Sequence, residues 1–295
     1  MDATRGVPDF NYLSPNGTVN AAIPDGNGGW YVGGSFSQIG GVARVFLARI
    51  NSDGTLNPWN PGASGSFAAV HALLLDGTTL YVGGSFTTLG GQPRRLVGAV
   101  STVTGLATSF NANNIAGTVV LSITKDGSTL YIGGSFTDMG GSPRQNLAAV
   151  DANTGVAIAN WRYAVNNTVR AITTTGGQAF AGGDFTQTGL DRPFGTAVDP
   201  VTGAPDFSYL EPNGLISTCI PDGSGGWFIG GDFTQLGTAT RNRIARLNAD
   251  GSVNAWNPNS NGGVRAMVLL GSNLYVGGSF SPSVVKRATA SPRWM

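Results

Sequence analysis

The chain has 295 residues and a formal net charge of +1, with only 11% of its residues charged. Its basic residues are spread along the chain, so there is no stripe to neutralise nucleic-acid phosphates, and a nucleic-acid partner is excluded. Glycine is abundant, at 46 residues, while Glu occurs once, at Glu211. That balance disfavours helices, because exposed helix faces draw on Glu, Lys and Arg, whereas Gly, Asn and β-branched residues suit turns and strands.

Met1 to Pro8 lacks the apolar stretch of a signal sequence, and no apolar run approaches the ~20 residues of a membrane span, so no membrane insertion is expected. Thr4 to Phe10 aligns with Val201 to Phe207, the end of a later repeat, which predicts that the N-terminus supplies a last strand. Then Trp30-Tyr31-Val32-Gly33-Gly34-Ser35-Phe36 appears, and it recurs as Leu80 to Phe86, Leu130 to Phe136, Phe180 to Phe185, Trp227 to Phe233 and Leu274 to Phe280. From one Phe to the next the spacings are 50, 50, 49, 48 and 47 residues. A fixed period of this size is the signature of a repeat architecture.

Within a repeat the apolar residues alternate, and turn signals separate the runs. In the second repeat Val70 to Leu75, Leu80 to Thr87, Leu96 to Val100 and Ala107 to Phe110 read as strands. Asp76-Gly77 and Thr104-Gly105 read as turns between them, and Gly90-Gly91 as a loop. A four-stranded sheet cannot bury both faces alone, but sheets of this kind stack around an axis. The expected fold is all-β: a β-propeller of about six four-stranded blades, with the last blade closed by the N-terminal strand. It spans 1–295 as one domain, with repeats near 18–66, 67–116, 117–166, 167–213, 214–262, and 263–295 plus 1–17. In the sixth repeat Val264 to Leu270 and Leu274 to Phe280 supply two strands and Ser283 to Ser291 a third. Pro8 to Phe36 matches Pro205 to Phe233 at 18 of 29 positions, which points to duplication of a four-repeat block. Residues 281–295 lose the expected Gly-Gly, so a seven-bladed parent stays open.

Glycine weakens a strand interior, so its recurrence there needs a packing reason. The pairs Gly33-Gly34, Gly83-Gly84, Gly133-Gly134, Gly182-Gly183, Gly230-Gly231 and Gly277-Gly278 are expected where backbones approach closely, between blades or at the channel. Phe36, Phe86, Phe136, Phe185, Phe233 and Phe280, two residues on, are expected to pack between blades. A phosphate-cradling loop would need a helix to follow, and none does.

An arginine stands eight residues after the motif Phe at Arg44, Arg94, Arg144 and Arg241, with Arg192 one residue early in the fourth repeat. Such a set could converge on an anion, since the guanidinium fork matches carboxylate and phosphate. Recurrence in nearly every repeat favours a structural bond instead, here to an adjacent blade at Asp184 or Asp232. Trp59, Trp161 and Trp256, with Phe110, share a slot at the fourth strand and read either as core anchors or as sugar-stacking rings. Trp30 and Trp227, in the motif strand, read as core. Cys219 reads as a buried apolar residue, and one Cys with one His, His71, cannot build a zinc set. Asp25, Asp76, Asp126 and Asp222 sit in Asp-Gly turns. No cofactor, metal or catalytic constellation is expected.

The repeated Leu-Tyr-Val-Gly-Gly-Ser-Phe-Thr motif, the strand Arg243 to Leu247, and Asn248 to Asn257 resemble the delta-60 repeat β-propellers of bacterial secreted and surface proteins. The resemblance covers essentially the whole chain and implies a propeller without an established chemistry. The reading is therefore a non-catalytic structural or recognition module that binds a protein or glycan at a cell surface or in a virion, such as a phage tail or fibre. Homo-oligomers or larger assemblies are among its expected forms. The alternative is a propeller enzyme, a lyase or hydrolase working at a channel mouth. A third reading, an incomplete piece of a larger surface protein, predicts an exposed apolar gap where a seventh blade should sit.

Overall fold

The computed structural model describes residues 13–114, 116–161, 163–175, 177–186, 194–200, 202–206, 209 and 211–280. The N-terminal strand expected at Thr4 to Phe10, the third strand expected at Ser283 to Ser291, and Arg192 lie outside them. All regular structure among the described residues is β, in antiparallel sheets. Backbone proximity divides the chain into two compact units, one mainly Met1–Ile123 and the other mainly Ile158–Met295, and the boundary runs through the third repeat.

Each repeat opens with a hairpin whose second strand carries the glycine motif. The pairs are Val19–Pro24 with Trp30–Gly34 and Val70–Asp76 with Thr79–Gly84 in the first unit. In the second they are Val169–Thr175 with Gln178–Gly183, Ile216–Pro221 with Trp227–Gly231, and Val264–Leu270 with Asn273–Gly278. A third strand adds on the far side, at Leu47–Ile50, Val97–Ser101, Gly195–Val198 and Ile244–Leu247, so the motif strand is central. Its apolar residues are therefore buried on both faces, as a central strand requires.

The expected four strands are corrected to three. Pro205–Asp206 forms a two-residue fourth strand, but elsewhere the ladder shrinks to single bridges, Ile50↔Leu56, Val100↔Ala107, Val150↔Ala157 and Leu247↔Val253. The reason is competition for the backbone carbonyls that follow, which arginine side chains take. Gly90-Gly91, expected as a loop, closes a hairpin between Thr88–Leu89 and Gln92–Pro93. Both glycines have positive φ, +57° and +77°, as a two-residue primed turn demands.

Five opening strands carry an irregularity at one register position, between Val19 and Ala21, Val70 and Ala72, Val169 and Ala171, Ile216 and Thr218, and Val264 and Ala266. This bulge turns the preceding carbonyl across the second motif glycine: a Cβ on Gly84 would collide with Ala69 O, and one on Gly183 with Thr168 O. The first motif glycine meets a different neighbour, the branched residue that opens the next repeat. A Cβ on Gly83 would lie 2.6 Å from Val120 Cγ1, and one on Gly133 2.5 Å from Val169 Cγ1. Gly33 meets Val70, Gly182 meets Ile216 and Gly230 meets Val264 in the same way. Each joint is thus a branched plug in a glycine socket.

Cores form around these joints. Phe86 shares one with Tyr31, Leu47 and Trp59 of the preceding repeat. Phe185 packs with Tyr131 and Trp161, and Phe233 with Phe180 and Tyr209. Phe36 and Phe136 are buried, while Phe280 is partly buried. Phe36 keeps to residues of its own repeat, among them Val32, Ile39 and Ala48. Motif tyrosines tie successive repeats, since Tyr81 OH donates to Ala152 O at 2.8 Å and Tyr131 OH to Pro200 O at 3.0 Å. Trp227 is fully buried against Phe180 and Tyr209, but Trp30 is 39% exposed, which corrects its expected core position. Trp30 opens the first repeat and has no preceding repeat among the described residues to pack on.

Candidate functional site

The repeated arginines do not converge. Arg94 donates from Nε to Phe110 O, from Nη2 to Thr108 O and from Nη1 to Pro93 O, all at 2.8–2.9 Å. Arg44 reaches Ala43 O and Asn57 O, Arg144 reaches Pro143 O and Ile158 O, and Arg241 reaches Thr240 O and Asn254 O. Each clamps its hairpin to the fourth segment of its own repeat. The expected bonds to Asp184 and Asp232 are therefore corrected: Asp184 pairs with Arg170 and Asp232 with Arg265. Those partners follow the plug residues Val169 and Val264, Arg170 in the same repeat as Asp184 and Arg265 in the repeat after Asp232.

The aromatic slot is also inward-facing. Trp59, Phe110 and Trp161 are buried, and Trp256 is partly buried against Phe228. Each ring meets the motif aromatic of its own repeat edge-on: Trp59 with Tyr31 at 5.1 Å, Phe110 with Tyr81 at 5.4 Å, Trp161 with Tyr131 at 6.0 Å and Trp256 with Phe228 at 5.2 Å. A ring that stacks on sugar needs an open face, which Trp59 and Trp161 lack.

What the structure does bring together is an ion pair that sequence reading passed over. Asp25 begins the loop between the first two strands. Its Oδ1 accepts from Asn27 N and Gly29 N at 2.8 Å, and its Oδ2 accepts from Arg49 Nε at 2.9 Å and Nη2 at 2.7 Å. The Asp25 side chain is 2% exposed. Burial pushes its carboxyl up, but the bonds from Asn27, Arg49 and Gly29 together hold it below the ordinary carboxylate range. The Arg49 guanidinium lies over the Tyr31 ring at 5.4 Å, a cation–π contact, and Trp59 Nε1 donates to Ser101 O at 2.9 Å. Burial, chiefly, raises the Tyr31 phenol, so it stays protonated at neutral pH.

Above this floor opens a cleft of about 770 Å³ between the first and second repeats of the first unit. Asn27, Asn57 and Asn60 border it on one side, and Thr78, Thr102 and Thr104 on the other. Asp25 has no lone pair left to offer, because all four acceptor positions of a carboxylate are filled. Arg49 Nη1 and the Asn60 amide make no hydrogen bond among the described residues and are among the donors that remain.

The same module recurs in the second unit. Asp222 accepts from Ser224 N, Gly226 N, Ser224 Oγ and Arg246 Nε, and Arg246 lies over Phe228 at 5.6 Å. In both copies the arginine follows the aspartate by 24 residues. That shared spacing, inside the stretch that the block duplication preserves, was the available signal. The aspartates instead read as turn formers, which they also are, since Gly26 and Gly223 both have φ of +80°.

Antiparallel sheets of a common plan, joined repeat to repeat by one kind of contact, define a β-propeller repeat protein. A family described as "Domain of unknown function (DUF5122) beta-propeller" matches residues 26–58 and 221–255, the second of which holds Asp222 and Arg246 and the first Arg49. No curated protein matches. Among solved structures the computationally designed Ika8 protein is similar, with a TM-score of 0.58 and 10% identity over 90% of this chain and 83% of that one. That likeness concerns the fold alone. The computationally designed Ika4 protein has a TM-score of 0.42 at 11% identity, covering 62% of this chain and 94% of that one.

Proposed function

We propose that this chain is a non-catalytic recognition module, a propeller of six blades of the delta-60 kind, that binds a neutral, hydroxyl-rich glycan in the cleft over Asp25 and Arg49. The observation that carries this reading is the self-saturated floor. Asp25 and Arg49 neutralise each other, and every acceptor position of the carboxylate is occupied, so the pair shapes the cleft and holds no proton to transfer. The remaining donors and acceptors are amides and hydroxyls, with Arg49 Nη1 as a single charged donor, and these suit sugar hydroxyls. A surface or virion setting fits the same composition, which is poor in Lys and Glu and has a single cysteine.

The test is a glycan array followed by calorimetric titration of the best binder. Asn60→Ala is expected to weaken binding 3- to 10-fold, the worth of about one hydrogen bond, without lowering the melting temperature. Absence of any glycan binding at millimolar concentration, or unchanged affinity in Asn60→Ala, would remove the reading.

A further inference from the structure

The two Asp–Arg modules correspond position by position at one constant offset: Asp25 to Asp222, Arg49 to Arg246, Asn57 to Asn254, Trp59 to Trp256 and Asn60 to Asn257. Their hydrogen bonds repeat too, since Asn57 reaches Asn51 and Trp59 N as Asn254 reaches Asn248 and Trp256 N. Against so close a copy, each difference stands out. Among the first-repeat residues that border the cleft, the polar differences are two: Tyr31, where the second unit has Phe228, and Asn27, where it has Ser224. Tyr31 is 2% exposed and its phenol is bonded to the Thr102 side chain. Asn27 is exposed.

Backbone roles at this position are the same in both copies, because Asn27 N and Ser224 N each donate to the aspartate Oδ1, at 2.8 and 2.7 Å. Side-chain roles are not. The Ser224 hydroxyl turns back onto the ion pair, donating to Asp222 Oδ2 at 2.8 Å and accepting from Arg246 Nη2 at 2.9 Å. In the first unit Arg49 fills that place itself, with both Nε and Nη2 on Asp25 Oδ2. Asn27 is thereby released: its Nδ2 reaches only Asp25 O, at 3.5 Å, and its Oδ1 accepts no hydrogen bond among the described residues. A carboxamide that the scaffold does not need thus stands at the rim of the cleft, in the copy that forms one.

We infer that Asn27 is the specificity-determining residue of the cleft and reads two hydroxyls on adjacent ring carbons, so that the ligand is a glycan with unsubstituted vicinal diols. This rests on the glycan reading of the cleft and narrows it. A carboxamide presents an acceptor and a donor side by side, and each hydroxyl both donates and accepts, so an adjacent pair closes two hydrogen bonds with one amide. A hydroxyl whose neighbour is tied up in a glycosidic bond answers one amide atom and leaves the other without its partner, which is how a polar site rejects a near analogue. Serine cannot take this role, because its hydroxyl returns to the aspartate and arginine as that of Ser224 does.

The test titrates the full chain with 3-linked and 4-linked oligosaccharides of glucose, mannose and galactose, paired at equal length. Internal residues of the 4-linked chains keep free hydroxyls on carbons 2 and 3, which are adjacent; those of the 3-linked chains keep them on carbons 2 and 4, which are not. Within a pair the composition, charge and size are the same. The wild type is expected to bind a 4-linked member about tenfold more tightly than its 3-linked partner, the order of two neutral hydrogen bonds. Asn27→Ser installs the residue of the second copy, so its melting temperature is expected to hold while that preference shrinks to about threefold or less. A wild type that binds the 3-linked member of every pair as tightly as the 4-linked one, or a preference that survives Asn27→Ser, overturns the inference and leaves the glycan reading standing. A chain that binds no member of the panel at millimolar concentration removes the glycan reading, and the inference with it.

Discussion

Replacing Gly83 by alanine should destabilise the first unit through one methyl group. The new Cβ would lie 2.6 Å from Val120 Cγ1, 3.0 Å from Ile123 Cδ1 and 3.3 Å from Ala72 Cβ. Carbon atoms in comfortable contact sit about 3.5–4.0 Å apart, so the second and third sheets must separate by roughly 1 Å or Val120 must leave its rotamer. Overpacking of that kind costs about 1–3 kcal/mol. Against it, alanine restricts the unfolded chain more than glycine, a gain of about 0.4–1 kcal/mol. The net expectation is a loss of about 1–2 kcal/mol, read from the shift in urea midpoint at constant slope. Val120→Ala alone should cost about 1.5–2 kcal/mol in lost burial. In the double variant the nearest obstructing methyl is gone, so the two losses should fall short of their sum by about 1 kcal/mol or more. Gly277→Ala supplies the contrast, with the same backbone gain and no obstruction. A Gly83→Ala protein as stable as the wild type, or a double variant additive within about 0.5 kcal/mol, would refute the socket as the reason for this glycine.

Arg94→Ala strips three backbone carbonyls of a charged donor in a partly exposed site and should cost about 2 kcal/mol with glycan binding unchanged, which thermal unfolding and titration check together. Asp222 has a carboxyl that burial pushes up but that bonds from Ser224, Arg246 and Gly226 hold lower still, so its folded pKa lies below the unfolded one. The stability it contributes is complete above about pH 4 and is lost as pH falls through the folded value. Asp222→Asn should therefore be less stable at pH 7 and lose less between about pH 4 and 2; parallel acid curves for variant and wild type would contradict this. Burial also pushes the Cys219 thiol up, so a disulfide reagent should label it only as fast as the chain unfolds, and rapid labelling of the native protein would speak against the placement.

The architecture was legible in the sequence because its cause is periodic. A glycine that must admit a neighbour's valine recurs wherever that neighbour recurs, so the motif strand and its central place could be read from spacing alone. The fourth strand was not legible as it stands, because Ala107 to Phe110 alternates like a strand while its carbonyls at Thr108 and Phe110 are taken by Arg94, 14 and 16 residues upstream. Trp30 and Trp227 have nearly identical flanks and opposite exposures. Their difference lies in what stands on the adjacent repeat, which local sequence does not encode. Asp25 and Arg49 were missed for a related reason: each has a sufficient local explanation, a turn former and a strand residue, and only the fold brings them to 2.7 Å.

Recurrence itself separates scaffold from site in this chain. The clamp arginine appears in four repeats, and in every one it binds backbone of its own repeat, so selection for the blade suffices to keep it. The position of Arg49 and Arg246 behaves differently. Opposite the motif aromatic, the second and fourth repeats carry Ala99 and Ala197, both fully buried, and their sheets pair as regularly as the others. A small apolar residue therefore satisfies the blade at that place, and a charged one must bring its own compensation, which Asp25 and Asp222 supply from a longer loop. Paired charges in such a setting are seldom more stabilising than apolar residues of similar size. Two repeats thus carry a costlier solution that the fold does not require, and one of them forms the floor of the cleft, the place where the ligand proposed above would account for it.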